Sequence, residues 1–521
     1  MNDSDTKDSL SPANETSDLE KSEERRSNHD RDQNFGSDNL RAVDNGSSVD
    51  FSLKGVLSLG VESRGILPVP FDQRVDPHFS KTFFIWLSAN CNILSFSAGT
   101  LGPLAFGLGL RDTFLTILFF NLLCCALPGY LATWGPKLGL RQMCQARYSF
   151  GLYGAIIPSV LNLTTMMGFL ILNCILGGST LASVSNGNLS WTVGIVIVAV
   201  LSLIISFCGY QVINWYERVA WFPVLIVYLI ALGVSGHHLH EAPPPATPAT
   251  AGTILSFAST LAGFVLTYSP LMSDYTCYLR ADVSSWKVFF YTYLGLLVPV
   301  VIIQTLGAAF ACALPAVPAW STAYDSDGGG NVGGLLLSIL EPAGTNFGKF
   351  LTVILALSVT ANTSPTIYSC CLSFQVFVPW AVRVPRYIFA GLIFAIATPI
   401  SIVGAHKFYT TLINFTGIIG YWASCFGAIV LTEHIIFRHL SFPSYDLTHW
   451  NDARNLPPGI AALSACIIAV GGIVVVCMDQ VWFVGPVAKR IGGDLGFEVA
   501  FFATGLVYLP LRWLEKRVFG R

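Results

Sequence analysis

The dominant constraint on this chain is a succession of apolar stretches, each about twenty residues long and almost free of charge, joined by short polar connections. Within a bilayer every backbone N–H and C=O needs a partner from protein, so stretches of this kind fold as membrane-crossing helices. They fall at about residues 82 to 107, 112 to 134, 152 to 182, 192 to 214, 218 to 236, 254 to 279, 286 to 314, 348 to 377, 386 to 404, 407 to 433, 458 to 478 and 495 to 513. The expected fold class is therefore an all-α polytopic membrane protein with about 12 transmembrane helices. Apolar residues make up 53% of the chain against 12% charged, a balance foreign to soluble domains and to nucleic-acid binding. The amino-terminal residues carry no apolar core, so they read as a disordered tail rather than a cleaved signal peptide.

An even number of spans puts both termini on one side. Lys137, Arg141, Arg147, Arg218, Arg280, Lys287, Arg383, Arg386, Arg438 and Arg454 fall on that side, with Arg512, Lys516, Arg517 and Arg521 in the carboxy tail. The opposite side keeps Arg111, Lys407, Lys489 and Arg490, so the excess of basic charge assigns the termini to the cytoplasm. Thirteen cysteines lie mostly inside apolar runs, where they act as small apolar residues, and none has metal-type spacing. The histidines of GHHLHEAPPPATPATAG (236 to 252) are expected to be solvated, and no metal or cofactor is expected. The long outer connection, 315 to 346, is expected to fold over the outer mouth, and Asn188-Leu-Ser190 is the one glycosylation sequon on an outer loop. Those at Asn2, Asn14 and Asn45 lie in the cytoplasmic tail.

Three spans carry polar interruptions. In the eighth, Asn362, Thr363, Ser364, Pro365 and Thr366 sit mid-span, and the proline removes a backbone donor, so a break is expected there, the alternative being a Pro-kinked packing helix. In the first, Asn90, Asn92, Ser95 and Ser97 precede Gly99, Gly102 and Pro103, which favours unwinding at mid-membrane; Gly107 and Gly109 are expected in helix packing. The sixth breaks at Thr267, Tyr268, Ser269 and Pro270, with Asp274 about one turn further on. Spans one to five and six to ten then form two halves, each opening with an interrupted helix, as in an inverted-repeat transporter with its site at the repeat interface. The domain plan is a cytoplasmic tail over 1–81, a core of ten spans over 82–433, peripheral spans eleven and twelve over 434–513, and a cytoplasmic tail over 514–521. In span three, Asn162, Phe169 and Asn173 are polar and aromatic candidates; Phe169 and Asn173 are four apart and share a helix face. An amide with two donors and two acceptors beside an aromatic face suits a flat heterocycle, whereas a lipid-facing Phe169 and an interhelical Asn173 bond would fit the same pattern.

RGILPVPFDQRVD at the entry, WLSANCNILSFSAGTLGP in span one, GFLILNCILGG in span three, SDYTCYL after span six and ANTSPTIY in span eight together resemble the nucleobase:cation symporter family 1, in its fungal purine-cytosine permease branch. The resemblance covers about residue 64 to the last span. It implies a leucine-transporter-like 5+5 inverted repeat plus two peripheral helices, alternating access, and a substrate held between spans one, three, six and eight. Ser95, Ser97, Phe169, Asn173, Tyr268, Asn362, Thr363, Pro365 and Thr366 are the substrate-binding candidates that follow. The family pattern has Trp where Phe169 stands, a second Trp where Tyr268 stands, and Asn where Thr363 and Thr366 stand. These departures reduce stacking area and exchange amides for hydroxyls, which opens the substrate to a purine, a nucleoside, allantoin or a vitamin B6 type of heterocycle besides cytosine.

Sodium-using relatives resemble one another in a Ser-Thr pair whose places are taken here by Ala356 and Leu357, which favours protons as the coupling ion. Asp274 and Glu217 are the proton-coupling candidates; a capping role for Asp274 and a surface pair of Glu217 with Arg218 are the structural alternatives. The expected function is a proton symporter importing purine/cytosine-type nucleobases, or a related small nitrogen heterocycle, across the plasma membrane. A non-transporting receptor would keep the same pocket. An enzyme is not expected, because no nucleophile with its base and no metal cluster lies at membrane depth.

Overall fold

The computed structural model describes residues 65–185, 187–207, 215–326, 330–378, 384 and 386–521. The expected tail up to residue 64 with its sequons, residues 327–329 of the outer connection and Arg383 lie outside the described residues.

Among the described residues, nine helices are long and apolar enough to cross a bilayer: Leu110–Leu138, Ile156–Val184, Trp215–Glu241, Ala251–Asp274, Ser285–Ala316, Thr345–Phe377, Phe408–Phe437, Ile460–Cys477 and Gly496–Phe519. The first expected span is divided into Lys81–Asn90 and Ile93–Phe106, and the fourth and ninth form the helices Trp191–Phe207 and Arg386–Gly404. All twelve expected crossings are thus accounted for, and they are called spans 1 to 12 below.

The three expected breaks have different outcomes. Span 1 parts at Cys91 and Asn92, earlier than its glycines suggested; Gly99, Gly102 and Pro103 all lie within its second half. Span 6 ends its regular helix at Leu266 and continues as a tighter 3-10 turn, Ser269–Asp274, beginning where Pro270 was expected to break it. Span 8 does not break. Thr345–Phe377 is one helix of 33 residues with Pro365 inside it. The hydroxyls of Thr363, Ser364 and Thr366 donate to carbonyls one turn back, at 2.8, 2.9 and 2.7 Å, so the polar cluster is absorbed by its own helix rather than unwinding it. Gly107 likewise departs from expectation: a methyl there would touch nothing within 4 Å, and the residue instead ends span 1 with φ +65°.

Where spans do approach closely, glycine permits it. A Cβ at Gly99 of span 1 would lie 1.9 Å from Gln304 O of span 7, and one at Gly263 of span 6 would lie 1.9 Å from Thr416 O of span 10.

Both described ends of the chain lie on one face. Gly65 O accepts from Arg141 Nε at 3.2 Å, and Arg521 Nη1 donates to Ala453 O at 2.9 Å in a connection that Arg147 also reaches, through Asn451 Oδ1 at 2.9 Å. On this terminal face Arg74 donates to four carbonyls, including Val69 O at 2.9 Å and Leu138 O at 3.1 Å. Asp76 pairs with Lys81 at 2.5 Å; partial burial alone would raise its carboxyl, but Lys81 and the His78 amide hold it below the ordinary aspartate value. Span 12 is fastened to span 10 by a buried cluster in which Glu433 accepts from Arg512 Nε at 3.0 Å and Tyr508 OH at 2.9 Å. On the opposite face the connection after span 7 forms the helices Pro318–Tyr324 and Val332–Leu340, and Tyr324 meets Tyr409 of span 10 at 6.0 Å, in keeping with a cover over that mouth.

Replacing Gly263 with Ala is expected to force span 10 away from span 6 and to cost about 1–3 kcal/mol, read as a lowered thermal midpoint of purified protein in detergent. An unchanged midpoint would mean that the approach is not tight.

Candidate functional site

The break in span 1 sets the geometry. In a continuous helix Ile93 N would donate to Ala89 O; here it donates to Ser358 Oγ of span 8 at 3.2 Å. The freed Ala89 carbonyl accepts from Asn362 Nδ2, also of span 8, at 2.8 Å and from Asn92 Nδ2 at 2.6 Å. Ser358 and Asn362 are four residues apart, so one face of span 8 supplies both replacements. Asn92 in addition caps the second half of span 1, accepting from Ser95 N at 2.9 Å.

From Asn362 the bonding spreads to spans 3 and 6. Its Oδ1 accepts from Asn173 Nδ2 at 2.8 Å, and its second amide hydrogen reaches Tyr268 OH at 3.2 Å. Tyr268 OH donates to Asn90 Oδ1 at 3.1 Å, and Asn90 Nδ2 donates to Trp86 O at 3.0 Å. The Trp86 ring packs against Tyr268 at 5.1 Å and Tyr275 at 5.3 Å. Phe169, one turn from Asn173, meets Phe264 of span 6 at 5.8 Å and Phe415 of span 10 at 5.4 Å, both edge-on, so it lies inside the bundle rather than toward lipid. Asn173 Oδ1, Trp86 Nε1, Ser95 Oγ and Ser269 Oγ are buried without a hydrogen-bond partner among the described residues. Unmatched buried polar atoms are costly, and a planar heterocycle carrying N–H donors and ring or carbonyl acceptors is the chemistry that would match them.

Asn173, Tyr268, Asn362 and, through Asn92, the start of the Ser95 turn are therefore brought together. Ser97, Thr363 and Thr366 turn their hydroxyl hydrogens onto Ile93 O, Val359 O and Asn362 O, which leaves them only acceptor capacity. Pro365 contributes its carbonyl, which accepts from Tyr275 OH at 2.6 Å. Trp86, Ser88, Ser358 and Tyr275 were not singled out from the sequence. Ser358 and Trp86 each stand four residues before a singled-out asparagine, and that helical spacing was the available signal.

The two carboxylates have distinct settings. Asp274 accepts from Gln142 N at 3.0 Å and Ser369 Oγ at 3.3 Å, so it caps the helix Gln142–Gly154 of the span 2–3 connection rather than its own broken helix. Glu217 is 0% exposed, and neither carboxylate oxygen has a partner among the described residues. Arg218 beside it is exposed, so the surface pair does not form. Ser88 of span 1 donates to Glu217 O and accepts from Trp221 N at 3.2 Å, entering the span 5 ladder one residue before the freed Ala89 carbonyl. Asn188 is exposed on the face opposite the termini.

Bonds cross between spans on either side of this centre. Toward the terminal face, Arg141 Nη1 donates to Asp274 O at 2.6 Å and Nη2 to Tyr278 OH at 3.1 Å. Toward the other face, Thr100 Oγ1 and Tyr409 OH are 2.9 Å apart, and beyond them opens a cleft of about 310 Å³ lined by Leu101, Tyr324, Lys407 and Tyr409.

A family model described as permease for cytosine/purines, uracil, thiamine, allantoin matches residues 68–492. The purine-cytosine permease fcyB of Emericella nidulans is 37% identical over 467 residues, covering 89% of this chain and 90% of that protein. The vitamin B6 transporter TPN1 of Saccharomyces cerevisiae is 30% identical over 530 residues, covering 90% of each. Among solved structures, Mhp1, a nucleobase-cation-symport-1 family transporter in a closed conformation with bromovinylhydantoin bound, is similar in fold, with a TM-score of 0.68 at 15% identity over 88% of this chain and 97% of that one.

Replacing Asn362 with Ala removes Asn173's acceptor and Tyr268's partner while Asn92 still serves Ala89 O. Uptake by cells is expected to fall at least about 100-fold with surface expression unchanged. Loss of surface protein instead would assign Asn362 to packing.

Proposed function

The chain belongs to the family of permeases for cytosine and purines, uracil, thiamine and allantoin, and on that footing we propose that it is a secondary active transporter importing a purine/cytosine-type nucleobase or a closely related nitrogen heterocycle with protons. The observation that carries the proposal is the ring of amides and hydroxyls around Asn362, joining two divided helices to spans 3 and 8 and leaving Asn173 Oδ1 buried without a partner among the described residues. The basic residues concentrated on the terminal face support cytoplasmic termini, which makes Asn188 an outward-facing glycosylation candidate in the proposed plasma-membrane location.

Proton coupling is assigned to Glu217. Ala356 and Leu357 offer no side-chain oxygen to a hard cation, whereas Glu217 is a buried carboxylate whose own backbone is bonded to Ser88, next to the divided point of span 1. Gaining or losing a proton there changes the charge beside the half-helix Lys81–Asn90, and so couples protonation to the backbone held by Asn362. Asp274, already held by Gln142 N and Ser369, is the second candidate.

A vitamin B6 type of substrate is the second reading, favoured by the 30% identity to a vitamin B6 transporter and by Phe169, Thr363 and Thr366 departing from the larger or amide side chains of the family pattern.

In a host lacking its own carriers, uptake is expected to collapse with a protonophore and to ignore external sodium, and Glu217→Gln is expected to abolish its acceleration by external acid. Strict sodium dependence, or full acid stimulation of the variant, contradicts the assignment. Competition among adenine, cytosine, hypoxanthine, uridine and pyridoxine identifies the substrate. The double change Phe169→Trp and Thr363→Asn is expected to shift preference at least about fivefold toward cytosine, and an unchanged competition profile would refute these positions as specificity determinants.

A further inference from the structure

Spans 3 and 8 run antiparallel against each other, and their asparagine contact is made twice. Asn173 donates Nδ2 to Asn362 Oδ1 at 2.8 Å; eleven residues nearer the terminal face on both helices, Asn162 donates Nδ2 to Ser373 Oγ at 2.8 Å. Both asparagines are fully buried, and both leave Oδ1 without a partner among the described residues. Should an amide be turned about, one of its edges would still be unused, so the unmatched polarity belongs to the site and not to the assignment of oxygen and nitrogen.

Between the two contacts span 8 presents Thr366 and Ser369, spaced four and three residues so that Asn362, Thr366, Ser369 and Ser373 share one helix face. Span 3 presents Asn162, Phe169 and Asn173 on one face in the same way. A track of polar side chains thus runs along these two helices from the central ring toward the terminal face. Eleven residues of helix span roughly 16 Å, too far for one small base to touch both contacts. Over the track lie groups from the end of span 6: Tyr275 OH on Pro365 O at 2.6 Å, Asp274 on Ser369 Oγ at 3.3 Å, and Tyr275 against Tyr368 at 5.6 Å. These groups belong to the segment following a helix break, whereas spans 3 and 8 make the most extensive helix contact among the described residues. Withdrawal of that segment would uncover the track and leave its wall standing.

We infer that Asn162 and Ser369 form a release subsite for the same planar nitrogen heterocycle, occupied after the central ring lets go and before the cytoplasm, while Ser373 only holds one edge of the Asn162 amide and is no part of the subsite. The inference rests on the transport reading and on cytoplasmic termini. It makes Asn162 a binding residue whose free amide edge accepts or donates one hydrogen bond to the leaving base.

The test uses full-length protein in right-side-out and inside-out vesicles, with labelled adenine, cytosine and pyridoxine as probes. For a transported probe, Asn162→Ala is expected to raise the half-saturating concentration from the cytoplasmic side roughly tenfold, the worth of one hydrogen bond at a desolvated site, and to leave the external value within about twofold. Ser373→Ala, which frees Asn162 instead of removing it, is expected to leave the cytoplasmic value within about threefold or to lower it. Equal changes on both sides, or the same loss of folded protein from either variant with unchanged affinities, would reduce the pair to interhelical packing and overturn the subsite. Wild-type vesicles that accumulate none of the probes would overturn the transport reading and the subsite with it.

Discussion

A carbonyl released from its helix at membrane depth must find a donor in protein, and Ala89 finds two, one from Asn92 and one from Asn362. The rest of the site depends on this contact. Because Ile93 N is taken at the same time by Ser358, span 8 holds both ends of the interruption in span 1. The side chain that stabilises the break is also the one that binds Asn173 and Tyr268, so the backbone of span 1, the amide of span 3 and the phenol of span 6 answer to a single residue. A ligand competing for any edge of Asn362 therefore acts on the geometry of three helices at once.

The settings of the two carboxylates extend this arrangement. Asp274 links the end of span 6 to the start of the helix Gln142–Gly154 and to span 8, and Arg141 from the same connection binds Asp274 O and Gly65 O. The terminal face is thereby closed by bonds between segments rather than by bulk. Glu217 is different in kind: its carboxylate has no partner among the described residues, and its backbone carbonyl is tied through Ser88 to the half-helix Lys81–Asn90. A buried carboxylate so placed, beside the division of span 1, is the setting on which the proposed proton coupling rests.

Much of this architecture was legible in the sequence because its cause is simple. Twelve crossings follow from apolar length, and the breaks in spans 1 and 6 follow from polar and proline residues where a helix cannot easily continue. Span 8 was misread for a physical reason. Threonine and serine hydroxyls can either address a ligand or fold back on carbonyls of their own helix, and local pattern does not separate the two; here they fold back and the helix passes through Pro365 intact. Asn173 and Asn362 could be named because amides are rare at membrane depth, and Tyr268 because it stands at the proline break of span 6. Ser358, Ser88 and Trp86 could not, since their roles come from a neighbour's freed backbone groups or from ring packing across spans, which one sequence does not display.

The central claim is that the ring around Asn362 carries a ligand across the membrane rather than merely binding it. Counterflow in proteoliposomes tests this most directly: vesicles loaded with unlabelled adenine or cytosine and no ion gradient, then given the labelled base outside. The account predicts transient accumulation of label above equilibrium, driven only by exchange. Saturable binding of label without any overshoot would contradict it and make the protein a receptor.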